Sequence, residues 1–420
     1  MAVTRADLRF QASMGTSVCG RHGMTAGGAV RILQLHNRYR EPGGEDVAVQ
    51  AEAALLRAAG HEVLQYEVEN PAGPVAAVAL LAGAPWNPAA ARAVARVVHR
   101  VRPDVAHVHN TWFALSPAVM RTLHQAGVPV VMTLHNYRLT CANAQLFRDG
   151  QPCELCVGGH SWHGVRHRCY RESALLTVPA AATITVHRRL GTWHRDVDLF
   201  LAPNAFARAL LIRSGLPATR IRVKPNFVQD PGPRLRPAAA SPTVLFVGRL
   251  AYQKGIDMLL EAWRRFGGSG LELAVVGDGP LHAEFERCPV PGVRFEGRVD
   301  AAAVRAHMLA SRALVFPSRS YEVQPLVALE ALAAGLPVLA SDLGGMPELL
   351  EPLGPTWLAP PGDPAGWADA LGRLSDSEGV QQGSHRARVR YEEAFTPAAA
   401  IVALEAAYDR ARRAAWPRSP

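Results

Sequence analysis

No apolar run in this sequence is long. Its longest uncharged apolar stretches, residues 75–86 and 174–186, fall short of the roughly 18 residues needed to span a bilayer. A secretory apolar core is also missing: residues 1–28 mix Arg, Asp, Gln and Gly without a continuous hydrophobic segment. A soluble, cytoplasmic protein is the expectation, with residues 1–28 a disordered extension and Met24 an alternative start. There is no internal repeat, so a solenoid or propeller is excluded. A marked basic amphipathic helix is absent as well, which leaves at most peripheral membrane contact.

What is present is length and positive charge. A chain of 420 residues is too long for one ordinary domain and suits two α/β domains, each burying its own core. The formal charge of +9 favours anionic ligands, among them nucleotide phosphates, anionic lipid and nucleic acid. Much of the excess is Arg scattered through an Ala- and Arg-rich chain, which solvation alone accounts for. No nucleic-acid partner is expected.

From Val30 onward, short β-rich runs alternate with longer helical ones, the pattern of parallel sheets flanked by helices. Strands are expected at residues 30–36, 61–66, 104–109, 128–134 and 198–202. A first helix is read through Val47, Ala51, Leu55 and Ala58. A proline-rich stretch, 229–242, has linker composition. A second series follows at 244–247, 271–276, 293–296, 313–316 and 338–340. The fold class is therefore α/β: two facing Rossmann-like, doubly wound domains with a cleft between them. The first spans 29–228 and carries a Cys-rich insertion at 141–169; the second spans 243–395. A last helix, 396–415, with Ile401, Leu404, Ala407 and Tyr408 on one face, packs back toward the first domain. Open parallel sheets bind ligands outside the carboxyl ends of their strands, so the informative loops are those that follow strands.

The most specific segment is Tyr321-Glu322-Val323-Gln324-Pro325-Leu326-Val327-Ala328-Leu329-Glu330. Two carboxylates eight residues apart are slightly more than two helical turns apart and can share a side, with Glu322 in the loop at the helix N-terminus and Glu330 pointing from the helix toward a ligand. Carboxylates accept hydrogen bonds from vicinal hydroxyls. Taken alone, Glu322 also reads as a charge favoured by a helix N-terminus, and Glu330 as a solvated helix residue. Upstream, Arg249 and Lys254 follow a strand and are flanked by Gly248 and Gly255. An Arg fork and a Lys point charge at a sheet mouth can neutralise a diphosphate. The turn at Gly277-Asp278 and the turn at Gly297-Arg298-Val299 end two further strands. In the first domain, Gly43 and Gly44 permit close backbone approach to a phosphate or sugar at a helix start. His109 and His135 each close a strand, a position more often structural than catalytic.

In order, these segments resemble retaining glycosyltransferases of family 4, which have the GT-B fold, over residues 30–415. Glu322 to Glu330 is similar to that family's Glu-x7-Glu motif, and Gly248 to Gly255 to its Gly-Arg-Leu-x-x-x-Lys-Gly signature. The resemblance continues through Ala334 to Ser341 and Gly344 to Glu348. It implies that Arg249 and Lys254 contact the donor phosphates. It implies that Gly277, Asp278, Gly297, Arg298 and Val299 line the nucleotide pocket, and that Gly43 and Gly44 face the donor. Glu322 and Glu330 would hold sugar and ribose, and His135 would be the active-site histidine, with its neighbour His109 among the donor-binding residues. The implied chemistry is front-face substitution, with no protein nucleophile and no catalytic metal. Val323-Gln324-Pro325 departs from the commoner Gly-Phe-Gly or Gly-Phe-Pro, which places sugar specificity in doubt.

Cys141-x11-Cys153-x2-Cys156-x12-Cys169 encloses His160, His163 and His167. A Cys-x2-Cys knuckle with two outlying cysteines suits a tetrahedral structural zinc. Disulfides and plain thiols are the alternatives; Cys19 and Cys288 stand apart. The expected function is transfer of a hexosyl or N-acetylhexosaminyl group, with UDP-N-acetylglucosamine the first choice of donor. The acceptor would be a natural product, an aminosugar or a cell-envelope glycan. A non-catalytic sugar-nucleotide-binding scaffold and a sugar-nucleotide epimerase are the competing readings. A scaffold need not keep Glu322, Glu330 and His135 together, and an epimerase needs different acid and base groups.

Overall fold

The computed structural model describes residues 8–9, 28–39, 43–71 and 73–415. A seven-stranded sheet and a six-stranded sheet form its two halves. The first contains β1 (Leu8–Arg9), β2 (Arg31–Arg38), β3 (Glu62–Glu69), β4 (Val105–Asn110) and β5 (Val130–Thr133). A small ribbon, β6 (Phe147–Arg148) with β7 (Gln151–Pro152), lies in the Cys-rich insertion; β8 (Leu199–Ala202) and β9 (Ile221–Val223) complete the first sheet. Its order is β1-β3-β2-β4-β5-β8-β9, parallel except for β1. The second sheet is built from β10 (Thr243–Val247), β11 (Glu272–Val276), β12 (Val293–Gly297), β13 (Ala313–Phe316), β14 (Val338–Ser341) and β15 (Leu358–Ala359). Its order is β12-β11-β10-β13-β14-β15, parallel throughout.

β4, β5, β8, β13 and β14 are buried along their whole length. Continuous apolar runs make such strands because helices cover both faces of a parallel sheet and leave no side for water. The β-branched residues of Val130, Val131 and Val338 suit the pleated surface.

Two expectations are corrected. Leu8–Arg9 pairs antiparallel with Tyr66 and Gln65, so this part of the N-terminal extension is a strand rather than disordered; the remainder of residues 1–27 lies outside the described residues. The helix Gly44–Ala58 buries Val49, Glu52, Ala53 and Leu56, and Val47 is exposed. The apolar stripe read from Val47, Ala51, Leu55 and Ala58 is thus rotated from the true one, because a carboxylate occupies the buried face. The helix after Glu322 starts at Leu326, so Glu322 stands in the loop before it and Glu330 on the helix, as expected, with the 322–325 loop setting their relation. The edge strands β9 and β15, only three and two residues long, were not anticipated.

The C-terminal helix Pro397–Ala415 lies against the first sheet. Leu404, Ala407, Tyr408 and Ala411 join a buried cluster with Ile32, Val105, Val131, Leu199 and Leu201. Ile401, half-buried, packs against the same cluster.

Polar contacts tie the halves together below the cleft. The Glu348 carboxylate accepts from the backbone N–H of Ala205 at 2.9 Å and of Phe206 at 3.2 Å. An acidic group from one half thereby caps the helix Ala205–Arg213 of the other, where the helix dipole favours negative charge. Asn226 N–H donates to Gln324 Oε1 at 2.6 Å, Asn204 Nδ2 donates to the Val323 carbonyl, and Phe206 packs edge-on to Tyr321.

Candidate functional site

The turns after β10, β11 and β12 are hydrogen-bonded side by side. Gly248 N–H donates to the Val276 carbonyl at 3.0 Å, Leu250 N–H to Asp278 at 3.0 Å, and Gly277 N–H to Gly297 at 2.8 Å. Gly277 has φ 137°, and a Cβ there would lie 1.9 Å from the Gly248 carbonyl oxygen. Only glycine permits this approach. Gly277→Ala is expected to cost at least about 2 kcal/mol of stability in denaturant titration. Gly297→Ala, with φ 68° but nothing within 4 Å, is expected to cost about 1 kcal/mol. Equal losses at the two positions would contradict the steric argument.

Lys254 enters the same mouth from the loop after β10, held to the loop after β13: Arg319 N–H donates to the Gln253 carbonyl at 2.9 Å. Lys254 Nζ lies 2.6 Å from Glu322 Oε1, which also accepts from Ser318 Oγ at 2.9 Å. Arg249 is exposed and has no ion-pair partner among the described residues. Asp278 accepts from its neighbour's N–H and bonds His282 at 2.9 Å; the His282 bond holds its carboxyl below the ordinary range. Arg298 is exposed, with Val299 beside it half-buried. Glu330 is half-buried, and burial raises its carboxyl above the usual range against the opposing pull of Arg305. All these groups stand at the carboxyl ends of one sheet.

Across the cleft, Gly44 faces the start of the helix Leu326–Ala333: a Cβ on it would lie 3.8 Å from Leu326 Cδ1. Gly43 N–H donates to Asp46 Oδ2 at 2.8 Å, and Asp46 Oδ1 takes His36 Nε2 at 2.9 Å. Next in this loop, Glu45 bonds Tyr39 Oη at 3.1 Å and Asn136 Nδ2 at 3.1 Å; burial pushes its carboxyl up to about 7. His135 is half-buried after β5, and burial drives its pKa down to about 3, so the imidazole is neutral. His109 does not border the cleft. Its side chain is fully buried, with Nδ1 3.0 Å from His135 Nε2. The expectation that His109 touches the donor is corrected to a position behind His135.

Behind the two histidines lies a cluster that the sequence reading missed. Glu52 Oε2 takes Lys224 Nζ at 2.6 Å, and Oε1 lies 3.0 Å from His107 Nδ1 and 3.6 Å from His109 Nε2. His107 Nδ1 also meets Tyr408 Oη at 2.8 Å, and its Nε2 meets Thr133 Oγ1 at 2.7 Å. Burial opposes ionisation of Glu52, but Lys224 and His107 outweigh it and hold the carboxyl well below its ordinary range. Glu52, His107 and His109 could together hold a metal ion, since their ligand atoms lie within 4.8 Å of one another. Lys224 already supplies the compensating cation. The one available signal in the sequence was a carboxylate at a buried helical position between Val49 and Leu56.

Cys141, Cys153, Cys156 and Cys169 line one small cavity with His163 and His167. None of the four is in a disulfide.

Two sheets whose carboxyl ends face a common cleft, with cations and carboxylates at the mouth of one and a neutral histidine at the other, define a two-domain protein whose cleft is suited to an anionic ligand. Residues 26–230 match the Glycosyltransferase Family 4 model, and residues 241–377 match that of the Glycosyl transferases group 1. The chain is 30% identical over 316 residues to the D-rhamnosyltransferase WbpZ of Pseudomonas aeruginosa, covering 71% of this chain and 78% of that one. It is 29% identical over 334 residues to a glycogen synthase of Mycobacterium tuberculosis, covering 76% and 72%. A sucrose-phosphate synthase from Thermosynechococcus elongatus shares the fold, with TM-score 0.68 and 21% identity over 90% of this chain and 98% of that one. The chain belongs to the GT-B glycosyltransferases related to families 4 and 1. It is an enzyme of the kind that transfers sugar from a nucleotide-sugar donor to an acceptor. No helix among the described residues is long and apolar enough to cross a membrane.

Proposed function

We propose that the protein is a retaining hexosyl- or N-acetylhexosaminyltransferase that uses a UDP-sugar, with UDP-N-acetylglucosamine the first donor to test, and works in the cytoplasm on a natural-product, aminosugar or cell-envelope acceptor. Residues 243–395 hold the donor, residues 29–228 present the acceptor, and the helix 396–415 braces the acceptor side. The observation that carries this reading is the Lys254–Glu322 pair at 2.6 Å beside exposed Arg249. An arriving diphosphate would meet two cations at the mouth of the sheet, and Lys254 would exchange part of its pairing with Glu322 for phosphate. Glu322 and Glu330 would then accept from sugar and ribose hydroxyls. The bond from the anomeric carbon to phosphate oxygen breaks as the acceptor oxygen bonds on the same face, and the departing phosphate takes the acceptor proton. No protein nucleophile is required. Arg249 and Lys254 supply the charge that a catalytic metal would otherwise bring.

Thermal-shift and donor-hydrolysis measurements with UDP- and GDP-sugars test the proposal. Stabilisation by one donor, lost in Arg249→Ala, together with slow nucleotide release lost in Glu322→Ala, is expected. If no nucleotide sugar stabilises the protein, the scaffold reading replaces this one; an epimerised donor returned without hydrolysis would favour the epimerase.

In the same reading the four clustered cysteines hold a structural zinc. Support comes from the cavity that the four cysteines line together with His163 and His167. No three of these ligand atoms lie within 4.8 Å of one another, so an ion would draw them inward to the roughly 2.3 Å sulfur distance of zinc. Metal analysis is expected to find about one zinc per chain, lost in the Cys153→Ser, Cys156→Ser double variant. Metal-free protein with two disulfides by mass spectrometry would overturn it.

A further inference from the structure

His109 and His135 are both neutral, and a bond between two imidazole nitrogens holds a single proton. His109 Nδ1 and His135 Nε2 are 3.0 Å apart, with the two rings meeting edge to edge, centroids 5.3 Å apart and planes inclined by only 25°. Which nitrogen owns the proton decides what His135 presents to the cleft. The answer lies on the far side of His109. Its Nε2 is buried without a hydrogen-bond partner, and 3.6 Å away lies the equally buried Glu52 Oε1, which His107 Nδ1 approaches to 3.0 Å from another side. Glu52 is ionised, because Lys224 Nζ sits 2.6 Å from its other oxygen and His107 Nδ1 3.0 Å from this one. A bare nitrogen lone pair facing a carboxylate in a medium of low dielectric is repulsive, whereas an N–H facing it is attractive. His109 therefore carries its proton on Nε2, which leaves Nδ1 as an acceptor.

We infer that Glu52, acting through His109, fixes His135 as the Nε2–H tautomer, so that His135 Nδ1 is a hydrogen-bond acceptor for a substrate hydroxyl. His135 Nδ1 has no protein partner among the described residues and is not among the buried unbonded atoms. Glu52 and His109 are positioning residues and touch no substrate. The elements converge for this purpose from distant sequence: Glu52 from the helix Gly44–Ala58, His109 from the end of β4, His135 after β5, and Lys224 after β9. Tyr408 of the C-terminal helix closes the cluster against His107 at 2.8 Å. The ligand class follows from the polarity: a bare imidazole nitrogen selects a donor, such as a sugar hydroxyl, and disfavours an ether or carbonyl oxygen at that point.

The tautomer inference stands without any substrate, while its catalytic consequence rests on the transferase reading; the test separates the two. Long-range 15N–1H correlation spectra of the full chain, labelled at histidine and assigned by comparison with His135→Gln, should show the His135 proton on Nε2. A proton on Nδ1, or an even mixture, would overturn the inference. In His109→Leu the tautomer should become mixed and donor turnover should fall at least about tenfold in kcat, with little change in KM. His109→Gln can offer its amide NH2 to Glu52 and its carbonyl to His135, and should restore both the Nε2–H signal and most of kcat. Equal defects in the Leu and Gln variants would reduce His109 to a packing role. If wild type turns over no nucleotide sugar, the functional reading fails while the spectra still decide the tautomer.

Discussion

Lys254→Ala is expected to lower kcat/KM by about a hundredfold to a thousandfold, the usual loss when one charge-stabilising group is removed from a transition state. The leaving group of the proposed reaction is a nucleoside diphosphate, whose negative charge grows as the glycosidic bond breaks. Lys254 Nζ is poised at the carboxyl end of β10, already 2.6 Å from Glu322 and 5.8 Å over the Phe316 ring. Glu322 keeps the ammonium oriented until phosphate arrives, so the variant loses a preorganised charge and leaves Glu322 unpaired where the donor must bind. Because both partners are partly exposed, the fold should hardly notice, with a stability change within about 1 kcal/mol. Arg249→Lys is expected to recover only part of the Arg249→Ala loss, since an ammonium cannot bind two phosphate oxygens as a guanidinium fork does. Steady-state kinetics beside thermal melts make the comparison. A fall in kcat/KM under tenfold with an unchanged melting temperature would remove Lys254 from leaving-group stabilisation.

The largest stability effect is expected at Glu52. Glu52 is 3% exposed, and its carboxylate lies against Lys224, also 3% exposed. Removing one member of a buried pair leaves the other charge uncompensated, at a cost of about 3–5 kcal/mol. Glu52→Gln should therefore be strongly destabilised or insoluble, and Glu52→Gln with Lys224→Met should regain much of the loss by removing the orphaned charge. The acid limb checks the sign. Glu52 has a folded pKa well below its unfolded one, so its stabilisation is present above the ordinary carboxylate range and is lost as pH falls toward the folded value. Denaturant midpoints measured from pH 6 downward should fall more steeply in wild type than in the double variant. Parallel curves would mean that Glu52 does not titrate as its environment requires.

The sheets were legible because buried parallel strands are written as nearly pure apolar runs: Val130–Thr133 and Ala313–Phe316 stand out against their neighbours without any knowledge of what covers them. The two- and three-residue edge strands carry too few residues for a pattern and owe their form to pairing with a neighbour. The helix Gly44–Ala58 was found with its buried stripe misplaced, because periodicity assumes that buried means apolar and Glu52 violates that assumption. His109 carried the same ambiguity. A histidine closing a strand can face the cleft or the core, and only the neighbouring elements choose.

Local sequence settled where strands occur, the glycine turns and the cation-bearing loop after β10, because each depends on residues a few positions apart, although β2 and β3 run two and three residues past their expected ends. Gly277 illustrates how far this goes: the need for a tight turn is local, but the carbonyl of Gly248 that forbids a Cβ comes from another strand. The capping of one half's helix by Glu348 of the other, and the meeting of Glu52, His107, His109, Lys224 and Tyr408, required the folded chain. These contacts join residues tens to hundreds of positions apart, and their energy comes from excluding water around groups that would each be solvated in the unfolded chain. Charge type is a property of the residue, but whether that charge is solvated, paired or used to orient a neighbour depends on what the fold packs against it.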